Sequence, residues 1–275
     1  MKALISVDME GISGIVHSSE TNPERYDYQR GRELISAEAN AVIAGVLDAE
    51  PTADVLVADA HGTFRNLLPE QLDRRARLVR GMPRALNMLA GLDEETDAAL
   101  FVGYHVRAGE GPGVLAHTMN GEILDVRVTG RSLGEIGLNA AMAGHLGVPV
   151  VLLSGDDAAC AEAAALIPEA VTVPVKEALG MAAAVTLHPE EARDRLRRAA
   201  ADAVSRRTEI PPLALTGPLD VEVDLASPHT IDLATLVPGV SRTAGARTVA
   251  FTAPDYGTAY RLILLLAQLA TIRPA

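Results

Sequence analysis

Asp8 and Glu10 stand two residues apart, directly after the apolar run Leu4-Ile5-Ser6-Val7. In extended backbone that spacing points both carboxylates to the same side. His61 follows Val55-Leu56-Val57-Ala58, and His105 follows a similar run over residues 99–102, so each imidazole lies just beyond a separate run of strand character. Two carboxylates and two imidazoles brought to one place suit a divalent transition metal. Imidazole favours zinc-like ions over magnesium, and a carboxylate is able to bridge two of them. Each residue also has a plainer reading. Asp8-Met9-Glu10-Gly11 reads equally as a turn that stops a strand, and each histidine as a hydrogen-bonding loop residue. Glu135 opens a helical stretch, where a glutamate often only complements the helix dipole, and spacing alone does not decide whether it reaches a metal. His117 stands in the irregular-looking segment Ala116-His117-Thr118-Met119-Asn120, where an imidazole can transfer protons. His145, His188 and His229 read as structural, and His17 stays open.

The elements that must position these residues alternate. Runs at 4–7, 55–58, 99–102 and 148–153 have strand character, and the stretch in which Ile35, Ala39, Val42 and Val46 recur has helical spacing. Asp156 or Asp157 caps a predicted helix that Pro168 ends, and Pro189-Glu190-Glu191 opens another whose far end carries arginines. Acid first and base last complements the helix dipole, which makes that arginine cluster structural. Such alternation predicts an α/β fold: a mostly parallel sheet flanked by helices, with ligands bound outside the carboxyl ends of the strands. Past Ile210-Pro211-Pro212 the style changes. Residues 221–225 and 248–252 alternate apolar and polar, and a last helix is expected over about 256–269. These features divide the chain into a catalytic body over 1–208 and a smaller C-terminal α+β lobe over 209–275. Residues 109–130 read as an irregular loop or a twisted hairpin.

Composition narrows the function classes. With 24 Lys+Arg against 36 Asp+Glu the net charge is −12, which disfavours nucleic acid as a partner. The single Cys160 rules out an intrachain disulfide or a cysteine-based zinc knuckle, so a metal here rests on histidines and carboxylates. The opening MKALISVDMEG meets acidic residues too early for a signal peptide, and the apolar stretch 262–270 is about half of the roughly 20 residues that a membrane span needs. A cytoplasmic protein without membrane partners is expected.

Five motifs, taken together and in this order, carry a family resemblance: SVDMEGISG from Ser6, ADAHG around His61, LFVGYHVRAG around His105, AHTMNG around His117 and GEIGLNA around Glu135. With them the chain resembles the DppA-type D-aminopeptidase family of zinc metallopeptidases. The resemblance implies two zinc ions per subunit, held by Asp8, Glu10, His61, His105 and Glu135, with Asp8 bridging, and His117 as the catalytic group. It further implies hydrolysis of short peptides with an N-terminal D-residue of the D-Ala type, by a metal-activated water. It also implies a ring-like homo-oligomer, a decamer whose sites face an internal channel. Asp59 is expected to orient a ligand histidine.

Rival readings fit less well. Asp8-Met9-Glu10 and Ser154-Gly155-Asp156-Asp157 imitate a magnesium-dependent phosphatase of the haloacid dehalogenase type, but the third position is Glu10 rather than Asp, and that chemistry needs neither histidine. The glycine-rich stretch 109–113 lacks G-x-G-x-x-G spacing, and Gly11-Ile12-Ser13-Gly14 is not the serine-hydrolase elbow. A non-enzymatic binding protein is the reading if no metal is taken up.

Overall fold

The computed structural model describes residues 1–243 and 245–272. The apolar runs become the central strands of a seven-stranded sheet. Its members are β1 (Lys2–Val7), β2 (Asp54–Asp59), β3 (Ala76–Val79), β4 (Ala98–Val102), β7 (Val150–Asp156), β8 (Val171–Gly180) and β9 (Ala183–Thr186). Their spatial order is β3-β2-β1-β4-β7-β8-β9, and every pairing is parallel except β8 with β9 at the edge. Alternation along the strands fills a core on each face. Ala3, Ile5 and Val7 of β1 and Ala98, Leu100 and Val102 of β4 join one core, whereas Leu4, Ala99 and Phe101 join the other.

Helix α1 (Ser18–Thr21) is one turn capped by His17, which settles the open histidine as structural. It leads into α2 (Tyr28–Ala49), which shares the first core with α5 (Pro189–Ser205) through Ile35, Ala39, Val42, Leu196 and Ala200. The arginines of α5 pair as expected of structural residues: Arg195 with Glu191, and Arg197 with Asp48. On the other face lie α3 (Glu135–His145), α4 (Asp157–Leu166) and α7 (Tyr256–Leu269). Asp156 caps α4 by accepting from the Ala159 N–H at 2.8 Å. The hydroxyls of Tyr256 and Tyr260 fasten α7 to α3, donating to the Leu138 carbonyl at 2.9 Å and the Asn139 side chain at 2.7 Å.

A second, five-stranded antiparallel sheet contains β5 (Ile123–Val128), β6 (Arg131–Ser132), β10 (Leu219–Leu225), β11 (Ser241–Arg242) and β12 (Thr248–Ala253), ordered β11-β12-β10-β5-β6. Short α6 (Pro228–Ala234) lies beside it. Two of its five strands thus come from before residue 209, so the stretch 209–275 does not form this layer alone. The physical reason is pairing: β10 needs β5 on its other edge, with Val221 opposite Val128 and Val223 opposite Val126. Val126, Val221, Val223, Val249 and Phe251 also join the same core as Ile136 and Leu138 of α3 and Ile263 and Leu266 of α7, so the second sheet and the first share one interior. Residues 109–130 combine both expected forms. An irregular loop comes first, then the β5–β6 hairpin, whose turn places Thr129 and Gly130 at φ 49° and 80°.

The chain leaves β1 for β2 on one side and later returns to β4 on the other. Loops that depart in opposite directions open a crevice at the carboxyl ends of β1 and β4. Among the described residues no helix is long and apolar enough to cross a membrane.

Candidate metal centre

Asp8 follows the last residue of β1. The chain then turns rather than running on extended, with the Ile12 N–H donating to the Met9 carbonyl at 3.2 Å. The turn, not strand parity, brings the two carboxylates together. It packs against the end of β4 so closely that a Cβ on Gly11 would sit 2.0 Å from the Tyr104 carbonyl oxygen, and one on Gly103 would sit 2.3 Å from that of Asp8. Only glycine permits this approach, and Gly103 also has a left-handed φ of 70°.

All six expected residues meet at this crevice. His61 Nδ1 lies 2.9 Å from Glu10 Oε2 and 3.3 Å from Asp8 Oδ1. His105 Nε2 lies 3.5 Å from Asp8 Oδ2 and 3.4 Å from Glu135 Oε1. Asp8 therefore offers one oxygen to each of two imidazoles from different loops. His117 Nε2 is 3.7 Å from Glu135 Oε1, and its ring stacks on His105 with centroids 4.0 Å apart. Glu135 begins α3, and its carboxylate also accepts from the Met119 N–H at 2.7 Å. Met119 holds a φ of 62° in doing so; Phe64 and Asn87, at 58° and 48°, are further non-glycine residues beside this cavity with left-handed backbone. Such concentrated strain is typical of functional sites.

Each imidazole turns one nitrogen to a backbone carbonyl: His61 Nε2 to Thr21 at 3.0 Å, His105 Nδ1 to Val106 at 3.1 Å, His117 Nδ1 to Leu115 at 2.8 Å. The N–H donated there fixes the tautomer and leaves the other nitrogen as a lone pair facing the carboxylates, as metal-ligating histidines are held. His105 Nε2 is buried and, among the described residues, has no hydrogen-bond partner. A buried lone pair aimed at anions fits a cation. One atom each from Asp8, Glu10 and His105 lies within 4.8 Å of the others, as does one each from His105, His117 and Glu135.

Electrostatics point the same way. Burial, followed by the charge of Glu10, pushes the Asp8 carboxyl up to about 8. Burial works against charge on His105, yet Glu135 and then Asp8 push its pKa up to about 10. Burial likewise opposes charge on Glu10, but His61 holds that carboxyl well below its ordinary range. A pocket that grips protons this firmly demands positive charge. His117 goes the other way, lowered by burial and then by His105.

Asp59 does not orient a ligand ring. Its oxygens accept from the N–H groups of Asn66 and Leu67 and from the Asn66 amide, and that amide in turn donates to the His61 carbonyl. Asp59 holds the backbone of His61, while the Thr21 carbonyl orients the ring. In the phosphatase-like stretch, Asp156 gives its oxygens to the Val114 and Ala159 N–H groups. Sequence reasoning also missed Lys176, whose buried ammonium donates to the carbonyls of Glu10, Ile12 and Ile15. The signal was present: it is one of only two lysines, and it stands inside an apolar strand.

Residues 1–265 match the peptidase family described as D-aminopeptidase. The chain belongs to that family. The D-aminopeptidase of Bacillus subtilis (strain 168) is 37% identical over 270 residues, spanning 98% of this chain and 98% of its own length. A solved structure, the zinc-dependent D-aminopeptidase DppA from Bacillus subtilis, described as a self-compartmentalizing protease, has a TM-score of 0.96 and 36% identity over the whole of both chains. The D-aminopeptidase family expected from the five motifs is thus the family found, and its α/β fold is the fold observed.

Proposed function

We propose that this D-aminopeptidase family member binds two zinc ions through Asp8, Glu10, His61, His105 and Glu135, and hydrolyses short peptides that begin with a D-residue such as D-Ala. The observation that carries the metal reading is the set of carbonyl-tied imidazoles, each turning its free nitrogen to a buried carboxylate. Asp8 would be the residue to serve both ions, because one of its oxygens faces His61 and the other His105. The zinc reading also draws on the zinc dependence stated for the Bacillus subtilis structure, and the D-preference on the family's description.

Bound zinc would polarise the scissile carbonyl and lower the pKa of an attacking water from about 15.7 toward about 7. The chain's own residues do the rest. His117, neutral because burial disfavours its charge, keeps Nε2 free to take a proton from the water and pass it to the leaving amine. The Leu115 carbonyl holds its ring in the tautomer that this needs. Glu135, fixed by the Met119 N–H, keeps one oxygen between His105 and His117. A cavity of about 350 Å³ lies over the centre, walled by Phe64, Met82, Met88 and Met119, and gives a short peptide apolar surface. The reading includes a cytoplasmic homo-oligomer, a decamer, as the setting.

Elemental analysis of the purified protein together with rates on D-Ala-D-Ala and L-Ala-L-Ala tests it. Two zinc ions per chain and faster cleavage of the D-peptide are expected, and Asp8→Ala should lose zinc. Full zinc retention in that variant contradicts the bridge. A protein that takes up no zinc and cleaves neither peptide is a binding protein instead.

A further inference from the structure

The cavity over the candidate centre continues into a second one of about 210 Å³, and Phe64, Met82, Asn87 and Gln268 line both. Helix α7 walls the whole cleft, with Gln268 beside the acidic end and Arg261 at the far end. These two residues are seven apart and share a helix face. At about 1.5 Å rise per residue, Arg261 stands roughly 10 Å from Gln268 along the axis.

The opposite wall carries Arg84. Its guanidinium stacks over the Phe64 ring at 3.9 Å and donates to the carbonyls of Val79 and Asp59. Arg261 makes one side-chain hydrogen bond, to the Thr258 hydroxyl at 3.3 Å. Among the described residues neither arginine has a carboxylate within ion-pair distance, although Arg127 and Arg197, for example, do. The cleft is therefore acidic at the end formed by Asp8 and Glu135 and basic at the other, where Asp255 acts on Arg261 and Asp59 on Arg84 only from beyond ion-pair distance. A zwitterion with its ammonium at the first end and its carboxylate at the second matches that polarity.

We propose that the Arg261 end of this cleft binds the free C-terminal carboxylate of a peptide substrate three or four residues long, with Arg84 as a fixed positive charge behind it. The inference rests on the peptidase reading and narrows its substrate class. An extended peptide covers about 3.3–3.6 Å per residue. The roughly 10 Å from Gln268 to Arg261 is about three extended residues, so a dipeptide anchored at the acidic end falls short of Arg261 while a tri- or tetrapeptide reaches it. Arg84 has its outer N–H groups engaged by carbonyls, so the exposed guanidinium of Arg261 is the specificity-determining one.

The test is kcat/KM of the zinc-loaded enzyme on D-Ala-D-Ala and on the D-Ala tetrapeptide, each as free acid and as C-terminal amide, for wild type, Arg261→Gln and Arg261→Lys. Wild type should prefer the tetrapeptide acid over its amide by about tenfold, the scale of one charge-assisted hydrogen bond, with the difference in KM. Arg261→Gln should bring that ratio close to one, Arg261→Lys should restore much of it, and the dipeptide ratio should move far less. Equal rates for tetrapeptide acid and amide in wild type, or a preference that survives in Arg261→Gln, overturn the proposal and leave the peptidase reading standing. Cleavage of no peptide in any form defeats that reading, and this inference with it.

Discussion

His117 has its Nδ1 tied to the Leu115 carbonyl and its charge disfavoured by burial and by His105, so its imidazole is held neutral at neutral pH, as the proposed base must be. It also lies near enough to Glu135 to be a third ligand beside His105. Two roles are thus compatible with its place, and they differ in what substitution removes. His117→Ala should keep zinc at the wild-type level and lower kcat by roughly 10²–10⁴, the usual contribution of a positioned acid or base. Measured stoichiometry falling to one zinc per chain would make it a ligand instead. The residue types at the site were legible, because Asp, Glu and His after separate strands have few structural reasons to gather. What orients them was not. The carbonyls of Thr21, Val106 and Leu115 belong to the backbone, which every residue carries, so no side chain announces them.

Strand β8 reaches the site through Lys176, 3% exposed. A register shift opposite Gly155 and Asp156 inserts Val175 as an extra residue and turns Lys176 inward. Its three donated hydrogen bonds hold the turn that carries Glu10. Lys176→Met leaves three carbonyls without that donor, so a loss of about 2–4 kcal/mol in stability is expected, with weaker zinc affinity from a loosened Glu10. Thermal melting and a zinc titration measure both, and wild-type affinity in the variant would free Glu10 from this support. Burial pulls the Lys176 pKa from 10.5 to about 8. The unfolded chain therefore holds more protons between those values, and this group's contribution to stability rises with pH across that window. The variant should lack the rise. Elements with one clean periodicity, such as β1, β4, α2 and α7, were readable from sequence. Strand β8 hid behind Pro174 and its own bulge, and charged β3 offered no apolar run. The pairing of β5 with β10 joins residues about ninety-five positions apart, which no local pattern encodes.

Over the whole molecule, the candidate ligands come from the ends of β1, β2 and β4 and from the start of α3. Cations bound there would fasten four separate segments, so metal should stabilise the fold by mass action, about 2.7 kcal/mol at a free concentration one hundred times Kd. Calorimetry with a chelator, then with zinc restored, should show the melting temperature fall and return; an unmoved transition would mean that the cluster holds no ion. Sedimentation checks the assembly, with a ring-sized species expected and a monomer refuting that part alone. Helix α7 has a last consequence. Its outer face borders the cleft, while Ile263 and Leu266 lie in the core shared with Val249 and Phe251, and its two tyrosines are fastened to α3. On that side the trough is consequently a gauge and not a jaw: moving this wall outward means dragging a helix out of the interior.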